Sequence, residues 1–288
     1  MNTGPLIAIV TGASRGAGRG IALALGSHGA TVYVTGRSIN VGDHALPGTI
    51  TETAAAITAS GGKGIAVACD HADDAQVANL FAQVRAEQGR LDLLVNNAAA
   101  IHDELTHPGE FWEKPLKLAD LIIVGIRSGY VASWHAAQMM AAQNSGLIIF
   151  TSASGAAHYS LGAAYGAHKV GMDKMAFDMA ADFAHAGKKV AALSVWMGAL
   201  LTDRLKAIIA SDTAKYGHLE GACESPEFTG HVIWALLNDP ELLALNGKTV
   251  NGAEIARKYG LTDNGRAPPT AHELHGVAPI AFHPATIR

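Results

Sequence analysis

The chain has 288 residues, 49% of them hydrophobic and 16% charged, with a formal net charge of −4. That is enough apolar material for one large core and too little polarity for a disordered chain. The weak acidity excludes the electrostatic footprint of a nucleic-acid or anionic-lipid binder.

Short apolar runs alternate with longer amphipathic ones from the start. Residues 6–10 read as a strand and 17–28 as a helix. Residues 31–35 read as a second strand and 50–60 as a second helix. A strand at 64–69 is followed by a helix at 73–88, opened by the N-cap candidate Asp73. A fourth strand at 91–95 precedes one long helix over about 116–143. The fifth strand is 147–151, and the helix carrying Tyr165 runs on to about 186. A sixth strand follows at 189–195, then helices at 203–217 and 226–238 and a last short strand at 248–250. Such alternation predicts right-handed β-α-β crossovers: an α/β, doubly wound parallel sheet of Rossmann type, with helices on both faces. Residues 1–263 form the expected single cofactor-binding and catalytic domain. The tail 264–288 has no periodicity and is expected to pack on the body or on a neighbouring subunit.

Cys69 and Cys223 are too few for a disulfide framework, and Cys69 reads as a buried thiol. The 14 histidines show no metal-ligand spacing, so no metal is expected. No basic, apolar leader opens the chain and no run of about 18 apolar residues occurs, which reads as a soluble, cytoplasmic protein.

Between the first strand and first helix lies Gly12, Ser14, Arg15, Gly16, Ala17 and Gly18. Glycines there permit a tight turn and bring a helix N-terminus against a pyrophosphate. The second strand ends in Arg37, with none of the acid that would hold a ribose 2′-hydroxyl. Arg15 and Arg37 together suit a 2′-phosphate, which points to NADP(H). Further on, Tyr165 and Lys169 are four apart, so a helix puts them on one face. An ammonium beside a phenol favours the phenolate and suits a general acid/base for alcohol–ketone interconversion. Ser152 closes the fifth strand, where its hydroxyl would enter a cleft.

Taken together these motifs resemble the short-chain dehydrogenase/reductase family over roughly residues 5–205. The resemblance carries residue roles with it. Asp70 with His71 would contact adenine, and Asn97 with Ala98 would brace the sheet beside the cofactor ribose. Ser152 would polarise the substrate carbonyl, Tyr165 would donate the proton, and Lys169 would lower the tyrosine pKa and hold the nicotinamide ribose. Thr202 would meet the carboxamide. The segment 124–127, Phe111 with Trp112, and residues 247–263 are similar to the dehydrogenase/reductase family member 1-like branch, whose substrates are loosely defined carbonyl compounds. Two departures stand out. Gly125 replaces an Asn that normally holds a relay water, and Met197 with Gly198 replaces Pro-Gly.

The expected substrate wall is Ser154, His158, Tyr159, Trp196, Met197 and Leu200, each of which could equally be ordinary packing. An apolar, partly aromatic wall suits a bulky ketone or aldehyde. The expected activity is an NADP(H)-dependent carbonyl reductase acting on a small molecule. The alternative is a cofactor-binding protein with vestigial chemistry, serving as sensor or structural partner. Small and apolar residues on several faces of the 116–143 and 163–186 helices predict a homodimer or homotetramer.

Overall fold

The computed structural model describes residues 4–285 and 287. Seven strands form one parallel sheet in the order β3-β2-β1-β4-β5-β6-β7. They are β1 (Ile7–Val10), β2 (Thr31–Gly36), β3 (Lys63–Ala68), β4 (Leu93–Asn96), β5 (Gly146–Ala153), β6 (Val190–Met197) and β7 (Thr249–Asn251). Strands β1, β2 and β4 are buried along their whole length, as near-continuous apolar runs must be when helices cover both faces. At the sheet edge β3 is partly exposed.

One face carries α1 (Gly16–Ser27), α2 (Ile50–Ala59), α8 (Phe228–Leu237) and α9 (Gly252–Lys258). Their core joins Ile21, Leu25, Ile57, Phe228 and Val232 to Val10, Val34 and Val195. The other face carries α3 (Asp74–Gln88), α4 (Ser128–Gln143) and α5 (Ala163–His185), whose core joins Phe81, Met140, Met172 and Phe183 to Ile9, Ile148 and Phe150. Local chemistry sets the helix ends. Thr49 and Glu52 close a capping box on α2, Asp73 accepts from Ala75 and Gln76 at the start of α3, and Gly89 ends α3 with a φ of 69°. The doubly wound parallel sheet expected from the sequence is the architecture observed.

Two predicted helices are interrupted. The long helix expected over 116–143 consists of a 3-10 turn at Leu116–Ala119, a wide-turn segment at Ile122–Arg127 and then α4. The break lies at Val124 (φ −101°, ψ 87°) and Gly125 (φ 158°, ψ −79°). Gly125 holds a conformation in which a Cβ would be strained, so the apolar periodicity continues while the backbone does not. The helix expected over 203–217 divides into α6 (Asp203–Ser211) and α7 (Thr213–Tyr216) at Asp212, whose extended backbone makes it the N-cap of α7.

Beyond α9, a short helix α10 (Ala271–His275) opens with a capping box between Thr270 and Glu273. Arg257 clasps this segment, pairing with both Glu273 oxygens at 2.7 and 2.9 Å and donating to the Pro268 carbonyl at 3.1 Å. The tail then lays Phe282 against Phe177 of α5, with the Lys174 ammonium over the Phe282 ring. No described helix is long and apolar enough to cross a membrane.

Candidate active site

Strand order reverses between β1 and β4, and in such sheets ligands bind outside the carboxyl ends of the strands at that point. The two loops meet there. A Cβ on Gly12 (φ 66°) would stand 2.8 Å from the Ala98 Cα. Thr11 and Asn97 lock the pair. The Thr11 hydroxyl accepts from the Asn97 and Ala98 amides at 2.9 and 3.0 Å, and the Asn97 side chain donates to the Thr11 and Gly12 carbonyls at 2.9 and 3.1 Å. Asn97 therefore shapes the glycine loop through its own amide.

The same loop leaves the start of α1 without a side-chain cap and without an acid in its first turn. Its orphan amides and positive dipole end are thus offered to an anion. Thr202 lies across this end, its methyl 3.7 Å from where a Cβ on Gly16 would be, and its hydroxyl caps α6 through the Leu205 amide at 3.3 Å. Arg204, the second residue of α6, pairs with Asp103 at 3.3 Å and ties α6 to the loop after β4.

Arg15 is anchored by loop 47–48. Its Nε donates to the Pro47 carbonyl at 3.0 Å, and Nη2 donates to the Gly48 carbonyl at 2.8 Å and to the Ser38 hydroxyl at 2.9 Å. Nη1 makes none of these bonds. Burial, with Arg37 and Arg204 nearby, weighs against the charge on Arg15, so an anion would be welcome here. Arg37 is largely exposed and approaches Asp70 to 3.9 Å. Ser38 and Arg204 were not singled out in the sequence; their role depends on a loop and a helix folding over the end of β2. Uncapped α1 amides and a glycine cradle fit a dinucleotide, with the positive charges of Arg15 and Arg37 near the end of β2.

His71 is buried, and its ring faces the core rather than the cleft. The Thr35 hydroxyl lies 2.7 Å from Nε2, and the Cys69 sulfur lies 4.0 Å from Nδ1. Burial holds this imidazole neutral, pushed down to about 4. Its side chain is therefore not a cofactor contact, because a fully desolvated ring cannot also face a ligand.

Ser152 ends the core of β5, Tyr165 and Lys169 lie in the first two turns of α5, and the loop between them packs back on the tyrosine. A Cβ on Gly155 would be 2.7 Å from Tyr165 Cε1, which explains the glycine. The Lys169 ammonium stands 5.5 Å from the centroid of the Tyr165 ring and donates to the Thr151 carbonyl at 2.9 Å. The Ser152 hydroxyl donates to the Lys169 carbonyl at 3.1 Å and is fully buried, so it faces the helix backbone rather than an open cleft. Burial pushes Tyr165 up to about 12 and Lys169 down to about 8, with Asp173 opposing the fall in Lys169. The sequence suggested a phenolate beside an ammonium; in this arrangement desolvation prevails and Tyr165 is held as the phenol.

Asp173, one turn beyond Lys169, was not anticipated. It accepts from the Ser194 hydroxyl at 2.6 Å and from the Trp196 indole at 2.9 Å, and burial raises its pKa. The i,i+4 spacing from Lys169 was legible, but its partners on β6 were not. Trp196 is accordingly a core residue rather than part of the substrate wall, since its indole is spent on a buried carboxylate. Met197, on the opposite side of β6, packs against the α1–α8 core. His158 remains at the rim with Ser154, its Nε2 3.1 Å from the Ser154 hydroxyl, while the His275 ring of α10 approaches to 5.1 Å. Tyr159 is exposed beside a groove of about 230 Å³ that Phe111 and His158 also line. Among the described residues no three His, Cys, Asp or Glu side chains gather around a metal-sized site.

The short chain dehydrogenase family profile matches residues 6–212. This chain belongs to the short-chain dehydrogenase/reductase family. It is 38% identical over 268 residues to dehydrogenase/reductase SDR family member 1 of mouse and of human, an alignment covering 89% of this chain and 82% of each relative. It is 30% identical to a 3-oxoacyl-[acyl-carrier-protein] reductase of Synechocystis, over 85% of this chain and 94% of that one. Among solved structures, a putative dehydrogenase from Xanthomonas campestris superposes with a TM-score of 0.75 at 27% identity, covering 94% of this chain and 98% of that chain. The protein is thus a short-chain oxidoreductase of the branch that its sequence resembled.

Proposed function

We propose that this protein is an NADP(H)-dependent carbonyl reductase, interconverting a bulky, apolar ketone or aldehyde and its alcohol, with Tyr165 as general acid/base. The observation that carries this reading is the presence of two features at the carboxyl ends of the strands. The Ser152–Tyr165–Lys169 trio sits at the carboxyl end of β5 and the start of α5, and the uncapped α1 terminus and the Arg15 cluster lie at the same end of the sheet, two strands away.

A bound nicotinamide supplies the hydride for reduction or accepts it in oxidation. The α1 amides would hold the pyrophosphate, and Arg15 and Arg37 would hold the 2′-phosphate. Tyr165, held protonated by burial, gives its proton to the developing alkoxide; a phenol is the form that reduction requires. Lys169 steadies the resulting phenolate, and Ser152 turns from the Lys169 carbonyl to the substrate oxygen. The ketone chemistry printed in the name of the Synechocystis relative supports the carbonyl class. The substrate would lie against Ser154, His158 and Tyr159.

The test is a panel of ketones and aldehydes with NADPH or NADH, followed by absorbance, alongside Tyr165→Phe. The ring packing is kept in that variant, so NADPH should still bind while kcat falls by about 10²–10⁴-fold. A variant working at the parent rate would remove Tyr165 from the mechanism. A parent that binds NADPH yet turns over no carbonyl would favour the cofactor-binding sensor instead.

A further inference from the structure

After β6 the chain makes an excursion, α6 and α7 followed by a 3-10 turn at Gly217–Ala222, and returns to its own start. The neck of this excursion is a ladder of backbone bonds. The Glu224 amide donates to the Ala199 carbonyl at 2.7 Å, the Leu201 amide donates to the Glu224 carbonyl at 2.9 Å, and Leu200 pairs with Glu224 as a parallel bridge. The outgoing side of the neck carries Leu200 and then Thr202, whose methyl faces the Gly16 turn at the start of α1. Arg204 then carries the excursion across to Asp103 in the loop after β4. The position of the neck thus sets the positions of Leu200, Thr202 and Arg204.

A turn beyond α9 grips the returning side of the neck. Asn264 (φ 50°) and Gly265 (φ 79°) are both left-handed, and Asp263 and Arg266 exchange backbone bonds at 2.7 and 3.0 Å. An Asn-Gly pair with both φ values positive makes the tight hairpin turn of type I′, and the two residues flanking it stand opposite each other with their side chains on one face. Both side chains reach the same stretch of backbone. Arg266 donates to the Gly221 carbonyl and, at 3.0 Å, to the Cys223 carbonyl, while Asp263 accepts from the Ser225 amide at 2.7 Å. Asp263 is buried, and its other oxygen accepts from the Asn264 side chain at 3.3 Å.

These bonds complement the ladder. In an extended stretch successive backbone groups point to opposite sides, so residue 224 bonds towards 199–201 while the Cys223 carbonyl and Ser225 amide face away. Asp263 and Arg266 take up those outward groups, and ionised partners make the stronger kind of hydrogen bond. One short turn therefore fixes three residues of the returning side, and through Glu224 the outgoing side as well.

We propose that the Asp263–Arg266 turn is a positioning clamp on the neck of the α6–α7 excursion, setting Thr202 against the cofactor and Leu200 against the substrate. The substrate part rests on the carbonyl-reductase reading; the hold on the neck does not. Asp263 and Arg266 act through the backbone of residues 221–225.

Arg266→Ala, Asp263→Ala and the conservative Asp263→Asn test this against parent. The measurements are amide hydrogen exchange, calorimetry with whichever of NADPH and NADH the parent binds, and steady-state kinetics on a ketone that it reduces. For a clamp, both alanine variants should speed exchange of the Leu201, Glu224 and Ser225 amides by about tenfold or more, with β5 and α5 at parent rates. Cofactor Kd and KM should each rise about fivefold or more, with a smaller change in kcat. Asp263→Asn keeps an acceptor for the Ser225 amide and should recover most of each loss. Parent exchange rates over 199–225 would overturn the clamp, and so would faster exchange there with Kd and KM unchanged. Faster exchange spread evenly over β5 and α5 would also overturn it, leaving the turn as a general stabiliser. Should Arg266→Ala fail to fold, Arg266→Lys, which keeps the charge and loses the two-pronged donor, carries the same readings. If the parent reduces no ketone, the carbonyl reading fails alone; exchange and cofactor affinity still decide the clamp.

Discussion

The imidazole of His168 occupies the space that a side chain on residue 125 would need, with Nε2 2.6 Å from the Cβ position of Gly125. The two residues are therefore a matched pair across the α5 packing interface. The departure at Gly125 noted in the sequence has its counterpart 43 positions later, where a buried histidine precedes Lys169.

It follows that Gly125→Asn will not restore anything by itself. The new side chain meets a buried ring at a backbone angle that disfavours side chains, and overpacking of that kind costs about 1–3 kcal/mol. Urea denaturation should show the loss, and NADPH-dependent turnover should fall with it. Unchanged stability would mean that the ring moves aside freely.

Acid should destabilise the fold through its buried histidines. His71 and His168 have folded pKa values pushed down to about 4 and about 3, against an ordinary value of 6.5. Their stabilising contribution is complete above pH 6.5 and is lost as pH falls toward the folded values. Each adds a slope of at most about 1.4 kcal/mol per pH unit in that window. Denaturation midpoints measured from pH 7 to pH 4.5 should fall, and His71→Gln should flatten the decline. A midpoint constant across that range would contradict the buried neutral rings.

Glu224 should act in the opposite direction. Its carboxyl is buried beside Gly198, one oxygen lacks a partner among the described residues, and burial raises it to about 7. A raised acid gives its full contribution below the ordinary value of 4.5 and loses it as pH rises through 7. Glu224→Gln removes the buried charge at almost constant shape, so it should raise stability more at pH 8 than at pH 5. Equal effects at both values would show that Glu224 titrates normally.

Cofactor selectivity should reside in two arginines. Arg15→Ala or Arg37→Ala removes a charge-assisted bond to a 2′-phosphate, which is worth about 1.5–3 kcal/mol and so about 10- to 100-fold in NADPH affinity. Affinity for NADH should change little. Calorimetry with both cofactors decides this; equal losses for the two would move these arginines away from the 2′-position.

Assembly is the remaining expectation. Ile122, Ile123, Tyr130 and Trp134 are about half exposed along the segment leading into and through α4. Apolar surface of this kind is commonly covered by another chain. Light scattering should give a mass above 30 kDa at micromolar concentration, and Trp134→Glu should lower it. A monomeric parent would end the proposal.

The order of strands and helices, the glycine loop and the Tyr165–Lys169 pair were all legible in the sequence, because each rests on periodicity or spacing within a few residues. Even so, the run at 116–143 concealed a break, since hydrophobic spacing does not record the φ of Gly125. What only the tertiary structure decided is which distant groups meet. It placed Asp173 between Ser194 and Trp196 and thereby withdrew Trp196 from the substrate wall. It also turned His71 inward to Thr35, and it set His168 against Gly125. It further set the state of Tyr165, because the elements packed around the ring desolvate it and push its pKa up to about 12. Local sequence sets the backbone period, whereas desolvation and partner choice depend on strands and helices packed together from remote parts of the chain.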